Sequence, residues 1–144
     1  MELVLLLHIS HYDERLGRFR SECFERSGDG TGISVIDAEC SIETTGSICA
    51  HARAFYGKIA WQPPIFWRFD EAILPAGSWL DAVPSDTGDM CHRNIEGLSN
   101  GRAKKFFKRQ ENPIFYICDD DQFRPLTAND IQVELAKFKA NLRG

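Results

Sequence analysis

The sequence predicts an α+β fold: one domain over residues 1–144, a largely antiparallel sheet with about three helices packed on it. Three observations predict it. Apolar and β-branched runs of strand length come in consecutive pairs on either side of the first helical stretch, and hairpins join such pairs more readily than crossovers do. Three segments show helical spacing instead, and the order strand, strand, helix, strand, strand, long connection, strand, helix, strand, helix does not alternate as a parallel sheet requires. The 144 residues are 43% apolar and 26% charged, which suits one ordinary core and not a disordered chain.

Leu3 to Ile9 is an apolar run interrupted only by His8, the signature of a strand buried on both faces. A polar segment with Phe19 and Phe24 follows. Gly28, Gly30 and Gly32 then lead into a β-branched strand, Gly32 to Asp37. Glycine admits backbone angles that other residues avoid and lets another group approach closely. Ile42, Thr45, Ile48, Cys49, Ala52, Phe55 and Tyr56 recur at three- and four-residue steps and predict a helix over 42–56. Gly46 weakens it by about 1 kcal/mol relative to alanine, and Gly57 suits its end.

Lys58 to Gln62 reads as a strand that Pro63-Pro64 stops, since proline donates nothing to a ladder. Ile65 to Phe69 is extended again. Residues 70–89, with two prolines, two glycines and four aspartates, read as a long irregular connection. Met90 to Gly97 is a strand. Ser99 or Asn100 caps a helix over about 102–111 that buries Ala103, Phe106 and Phe107 and ends at Asn112-Pro113. Ile114 to Cys118 is a strand and Asp119-Asp-Asp121 a turn. Thr127 and Asp130 form a capping box for the last helix, whose apolar face is Ile131, Leu135, Phe138 and Leu142.

A net charge of -4 gives no whole-surface attraction for nucleic acid, although a local basic patch still binds one. The cysteines, five in all, are widely spaced and include no C-x-x-C pair, so buried reduced thiols are expected and a disulfide framework is not. The opening residues are apolar over too short a run for a membrane span and lack the basic start of a signal peptide. A cytoplasmic protein with no membrane partner is the expectation.

Four constellations bear on function. The first is His8 at the end of the opening strand, the glycine segment, and Ser34 on the strand after it. This order resembles the start of ADP-ribosyltransferase-like domains. The resemblance implies an NAD-type nucleotide, with His8 holding a ribose, Ser34 orienting it, and a late carboxylate steering the nicotinamide ribose. Glu96, at a strand end before Gly97, is the best match to that carboxylate. Gly30, Gly32, His92, Arg93, Arg102 and Lys105 would complete the ligand site. Such chemistry needs a clamp on the nucleotide and polar groups that stabilise developing charge. A second resemblance spans most of the chain. Arg18-Phe-Arg-Ser21 with Phe24, Gly32-Ile-Ser-Val35, His92-Arg-Asn-Ile-Glu-Gly97 and the basic helix after it look like a group of small bacterial proteins of no known activity.

The second constellation is the basic helix 102–109, whose cations Arg102, Lys104, Lys105, Lys108 and Arg109 would serve a nucleic-acid backbone or simply a solvated helix face. The third is Trp61, Phe66 and Trp67. Adjacent Phe66 and Trp67 point to opposite sides of a strand, so one of them would need cover from a partner protein or a second copy of the chain. The fourth, the Cys/His pairs Cys49-Ala-His51 and Cys91-His92, lacks the close spacing of a zinc hairpin, and no metal is expected from it.

Overall fold

Alternation along the first strand explains most of the architecture. In the computed structural model, which describes residues 1–24, 32–57, 63–82 and 88–143, β1 (Glu2–Leu7) runs through the middle of a seven-stranded sheet. Leu3, Leu5 and Leu7 enter one hydrophobic core, and Val4 and Leu6 face a second core on the other side. The remaining strands of this sheet are β4 (Ile33–Asp37), β5 (Ile65–Asp70), β6 (Trp79–Asp81), β7 (His92–Glu96), β8 (Phe115–Asp119) and β9 (Gln122–Pro125). Two short strands, β2 (Tyr12–Asp13) and β3 (Arg18–Phe19), pair with each other. The order is β6-β7-β4-β1-β5-β8-β9, and every neighbouring pair is antiparallel. The helices are α1 (Ala38–Thr45), α2 (Ile48–Tyr56), α3 (Asn100–Lys108) and α4 (Ala128–Arg143). The α+β class predicted from the sequence is the one observed, with four α-helices among the described residues where about three were expected.

Helices α3 and α4 cover the first core with Ala103, Phe106, Phe107 and Leu135. Phe24 fills its middle, fully buried, with ring centroids 5.5 Å from Phe106 and 5.6 Å from Trp67. The second core lies under α1 and α2, where Ala38, Ile48, Cys49 and Ala52 meet Val4, Ile36 and Phe66. Each large apolar side chain so buried contributes about 1.5–3 kcal/mol. Phe66 and Trp67 do point to opposite faces, but both faces have a core: they are 0% and 2% exposed. The expectation that one of them docks a partner is thereby corrected, because neither is accessible. Trp61, and the strand expected at Lys58–Gln62, lie outside the described residues.

The helix expected over 42–56 is two helices. Gly46 takes the left-handed conformation (φ +91°) and its amide closes α1 on the Ile42 carbonyl at 2.8 Å. Ser47 then starts α2, its side chain accepting from the Ala50 amide. A stop signal followed at once by a start signal outweighs the apolar spacing that runs across it. The break leaves Ile42 47% exposed. The connection 70–89 also holds more than irregular chain: a single 3-10 turn at Glu71–Ile73 and the strand β6. The turn Asp119–Asp121 joins β8 to a strand the sequence did not announce, β9, with Asp120 at φ +52°. α3 stops at Lys108, short of 111.

The cysteine expectation is overturned. Cys40 pairs with Cys91 and Cys49 with Cys118, at Cα separations of 5.5 and 5.6 Å; Cys23 belongs to neither bridge. These four cysteines come from distant parts of the chain, 51 and 69 residues apart, so spacing does not disclose the pairing. Their common destination does: all lie in or against the second core, where they tie α1 and α2 to the sheet. No described helix is long and apolar enough to cross a membrane.

Candidate functional site

The register of three strands builds a polar area on the sheet face that carries α1 and α2. On β4, Ile33 and Val35 enter the first core, so Ser34 points the other way. Ser34 lies opposite Asn94 of β7, which lies opposite Asp81 of β6. Glu96 lies opposite Trp79. The five side chains of Ser34, Asp81, Asn94, Glu96 and Trp79 therefore share one face, and His92, two residues before Asn94, joins them.

Two cross-strand hydrogen bonds organise this area. Ser34 Oγ and His92 Nε2 are 3.0 Å apart, with the hydroxyl exposed and the imidazole buried. The tautomer decides which of the two donates. The Gly32 amide donates to Glu96 Oε1 at 3.1 Å. Gly32 has to be glycine here: a Cβ would stand 2.4 Å from the Ile95 carbonyl oxygen and 2.8 Å from Glu96 Oε1. Gly97, at φ +85°, likewise admits Trp79, since a Cβ would fall 2.7 Å from the indole Cζ3. The indole itself is 54% exposed. Asn94 is buried, and its Oδ1 has no hydrogen-bond partner among the described residues. A hydroxyl, an imidazole, a carboxamide and a carboxylate are thus presented beside an exposed aromatic ring. Chemically this set suits a polyhydroxylated ligand with a flat ring.

No protein-family model, curated protein or solved structure matches the chain.

The structure brings together four of the sequence-predicted residues, Gly32, Ser34, His92 and Glu96, drawn from segments sixty residues apart by the pairing of β4 with β7. Others lie elsewhere. His8 caps the 3-10 turn Ile9–His11, its Nδ1 accepting from the Ser10 amide, and meets the Phe138 ring of α4 edge-on at 5.8 Å. Burial lowers its pKa from the usual imidazole value, and nearby His11 adds to the effect. Arg93 lies opposite Val35, on the other face from His92, and reaches the Met90 and His92 carbonyls at 2.9 Å and Asp37 at 3.5 Å. Arg102 donates to the Ala76 carbonyl at 3.1 Å, and Lys105 is exposed on α3. Gly30 lies outside the described residues.

Two further features escaped sequence reasoning. One is a cleft of about 310 Å³ between the segment 13–22 and the end of α3, with Phe19, Phe107 and Phe115 in its wall and Arg18, Arg20 and Lys108 among its charges. The other is a buried polar cluster beneath α2. His51 Nε2 and Asp89 Oδ2 are 2.9 Å apart, Tyr56 donates to the same oxygen at 2.7 Å, and the Cys91 amide donates to Asp89 Oδ1 at 2.8 Å. Burial opposes the charge on Asp89, yet the bonds from His51, Tyr56 and Cys91 hold its carboxyl below the usual carboxylate range. The sequence offered half a signal, Cys49-Ala-His51, and none for Asp89, which sits in what read as an irregular connection.

Proposed function

We propose that the chain is a nucleotide-binding enzyme, or a degenerate form of one, that holds the ribose of an NAD-type ligand on the polar area formed by β4, β7 and β6. The hydrogen bond between Ser34 and His92 carries this reading, because it joins an exposed hydroxyl to a buried imidazole that can accept its proton. In this assignment Ser34 orients the ribose, His92 takes the part expected of His8, Glu96 steers the sugar from beside Gly32, and Trp79 offers a face for the base. The Ser34 and Glu96 part of the resemblance to ADP-ribosyltransferase-like domains supports the choice of ligand, while its His8 lies away from this area.

The magnitudes favour a weak complex. A neutral hydrogen bond contributes about 0.5–1.5 kcal/mol net, and stacking on an aromatic ring about 1–3 kcal/mol. Three hydrogen bonds and one stacked base amount to about 2.5–7.5 kcal/mol, dissociation constants from the low micromolar to the millimolar range and weaker. Glu96 and Asp81 add negative charge to the area, so the phosphates of the ligand are expected to lie toward its rim, where Arg102 meets the loop before β6.

Calorimetry with NAD, ADP-ribose and ATP tests the proposal. Saturable binding of NAD and ADP-ribose is expected, weakened about 2–10-fold in Ser34→Ala, the loss of one hydrogen bond, with the native circular dichroism retained. No heat with any of the three at millimolar concentration rejects it, and so does binding that Ser34→Ala and Trp79→Ala both leave untouched.

A further inference from the structure

We propose that Cys40, Cys91, His51 and Asp89 form a divalent transition-metal site which the Cys40–Cys91 disulfide closes and reduction opens. Three observations point there together. A nitrogen of His51, a carboxylate oxygen of Asp89 and Sγ of Cys91 all lie within 4.8 Å of one another. Cys40 Sγ is covalently bound to that same sulfur, so a fourth donor sits at the cluster. His51, 1% exposed, uses Nε2 toward Asp89, while its Nδ1 is buried with no hydrogen-bond partner among the described residues. A disulfide alone calls for neither a buried carboxylate nor an imidazole with an idle nitrogen.

The donor chemistry selects the ion. Two thiolates, one imidazole and one carboxylate are the ligand types of tetrahedral Zn²⁺, at about 2.3 Å for sulfur and 2.0–2.2 Å for nitrogen and oxygen. Those bond lengths require donor atoms about 3.5 Å apart, so donors that lie up to 4.8 Å from one another draw in by as much as about an ångström, while the two sulfurs, released from their bond, move apart. Its elements permit this: α1 and α2 carry Cys40 and His51, and the segment leading into β7 carries Asp89 and Cys91. The carboxylate already orders the imidazole through Nε2, as outer partners of metal-bound histidines commonly do, so Asp89 serves either on the metal or behind His51.

Opening the site is a two-electron reduction. A dithiol reductant gives two electrons and two protons to the Cys40–Cys91 bond and itself closes to a disulfide, leaving two thiols. The metal then displaces both thiol protons, and two Sγ–metal bonds replace the S–S bond. The oxidised chain has no thiolate to offer there.

Co²⁺, whose tetrahedral thiolate complexes are coloured, reads the site directly. Full-length Cys23→Ser/Cys49→Ala/Cys118→Ala protein, which retains only the relevant pair, is titrated before and after reduction with a phosphine that does not bind the metal. The expected result is no colour when oxidised. When reduced, one Co²⁺ binds with thiolate charge-transfer and tetrahedral ligand-field bands, and one Zn²⁺ displaces it. His51→Ala and Asp89→Asn are each expected to weaken binding about 10–100-fold. Colourless reduced protein overturns the proposal, as does equal binding by both redox forms or full affinity in His51→Ala. If reduction loosens the fold, near-ultraviolet circular dichroism decides: recovery of the native signal on adding Zn²⁺ supports the site, and binding without recovery overturns it.

Discussion

Replacing Cys49 and Cys118 with alanine removes the bridge between α2 and β8 and leaves the Cys40–Cys91 bridge in place. The two residues are 69 positions apart, and both are buried, at 1% and 6% exposed. A cross-link closing a loop of that length restricts the unfolded chain by about 4 kcal/mol in the loop-entropy treatment. A chain of 144 residues has an unfolding entropy near 0.3 kcal/mol/K at its midpoint, from about 2.1 cal/mol/K per residue. The double variant should therefore melt about 10–15 °C below the wild type. Differential scanning calorimetry without reductant measures the shift. Thiol titration of the unfolded wild type supplies the control, with only Cys23 expected to react. A shift under about 3 °C would refute the reasoning, because about 1 kcal/mol is too little for so long a loop. Five reactive thiols in the unreduced wild type would refute it more simply.

Two more outcomes follow from the packing and the charges. Phe24→Ala, which empties the middle of the first core, is expected to cost about 3–5 kcal/mol, read from the urea midpoint at unchanged slope; under 2 kcal/mol would mean that Phe106 and Trp67 collapse into the space. Acid should destabilise the fold through Asp130, whose bonds from Arg124, and burial against them, leave its carboxyl well below the usual range, and through Asp89, depressed in the same direction. Both folded-state values lie under the unfolded ones, so their contribution is whole above about pH 4 and is lost as the pH falls through the folded values. Stability measured against pH should drop on that side, less steeply in Asp130→Asn, and an unchanged slope in that variant contradicts the assignment.

Local chemistry decided how much of this was legible in advance. The run Leu3–Leu7 announced a strand with a core on each side because every residue in it is apolar, and the Thr127–Asp130 box was readable because its two reciprocal bonds need only those residue types three apart. Of the two caps the sequence offered for α3, Ser99 and Asn100, it is Ser99 whose side chain accepts from the Arg102 amide. What failed was long-range. Phe66 and Trp67 suggested an unmet surface only because sequence does not count helices on each side of a sheet, and the α1–α2 layer covers the second side. β9 was missed because Gln122–Pro125 carries one apolar side chain between polar ones and ends in proline, a sequence that pairs only because the turn Asp119–Asp121 returns it to β8. At the candidate site, Ser34, Gly32, His92 and Glu96 were all singled out from their own segments, and the β4–β7 register supplies their proximity. His8 and Arg93 were chosen by position in the chain, but a 3-10 turn carries one toward α4 and strand alternation turns the other to the opposite face. His51, Tyr56 and Asp89 could not be assembled from sequence, since nothing local marks a buried aspartate.

The most direct test of the nucleotide proposal is an amide and indole NMR titration of the wild-type chain with ADP-ribose. The account predicts saturable shifts at Ser34, Asn94, Glu96 and the Trp79 indole, with little change at Arg18, Phe19 and Lys108 in the cleft across the sheet. Shifts confined to that cleft, or none at millimolar ligand, would contradict it.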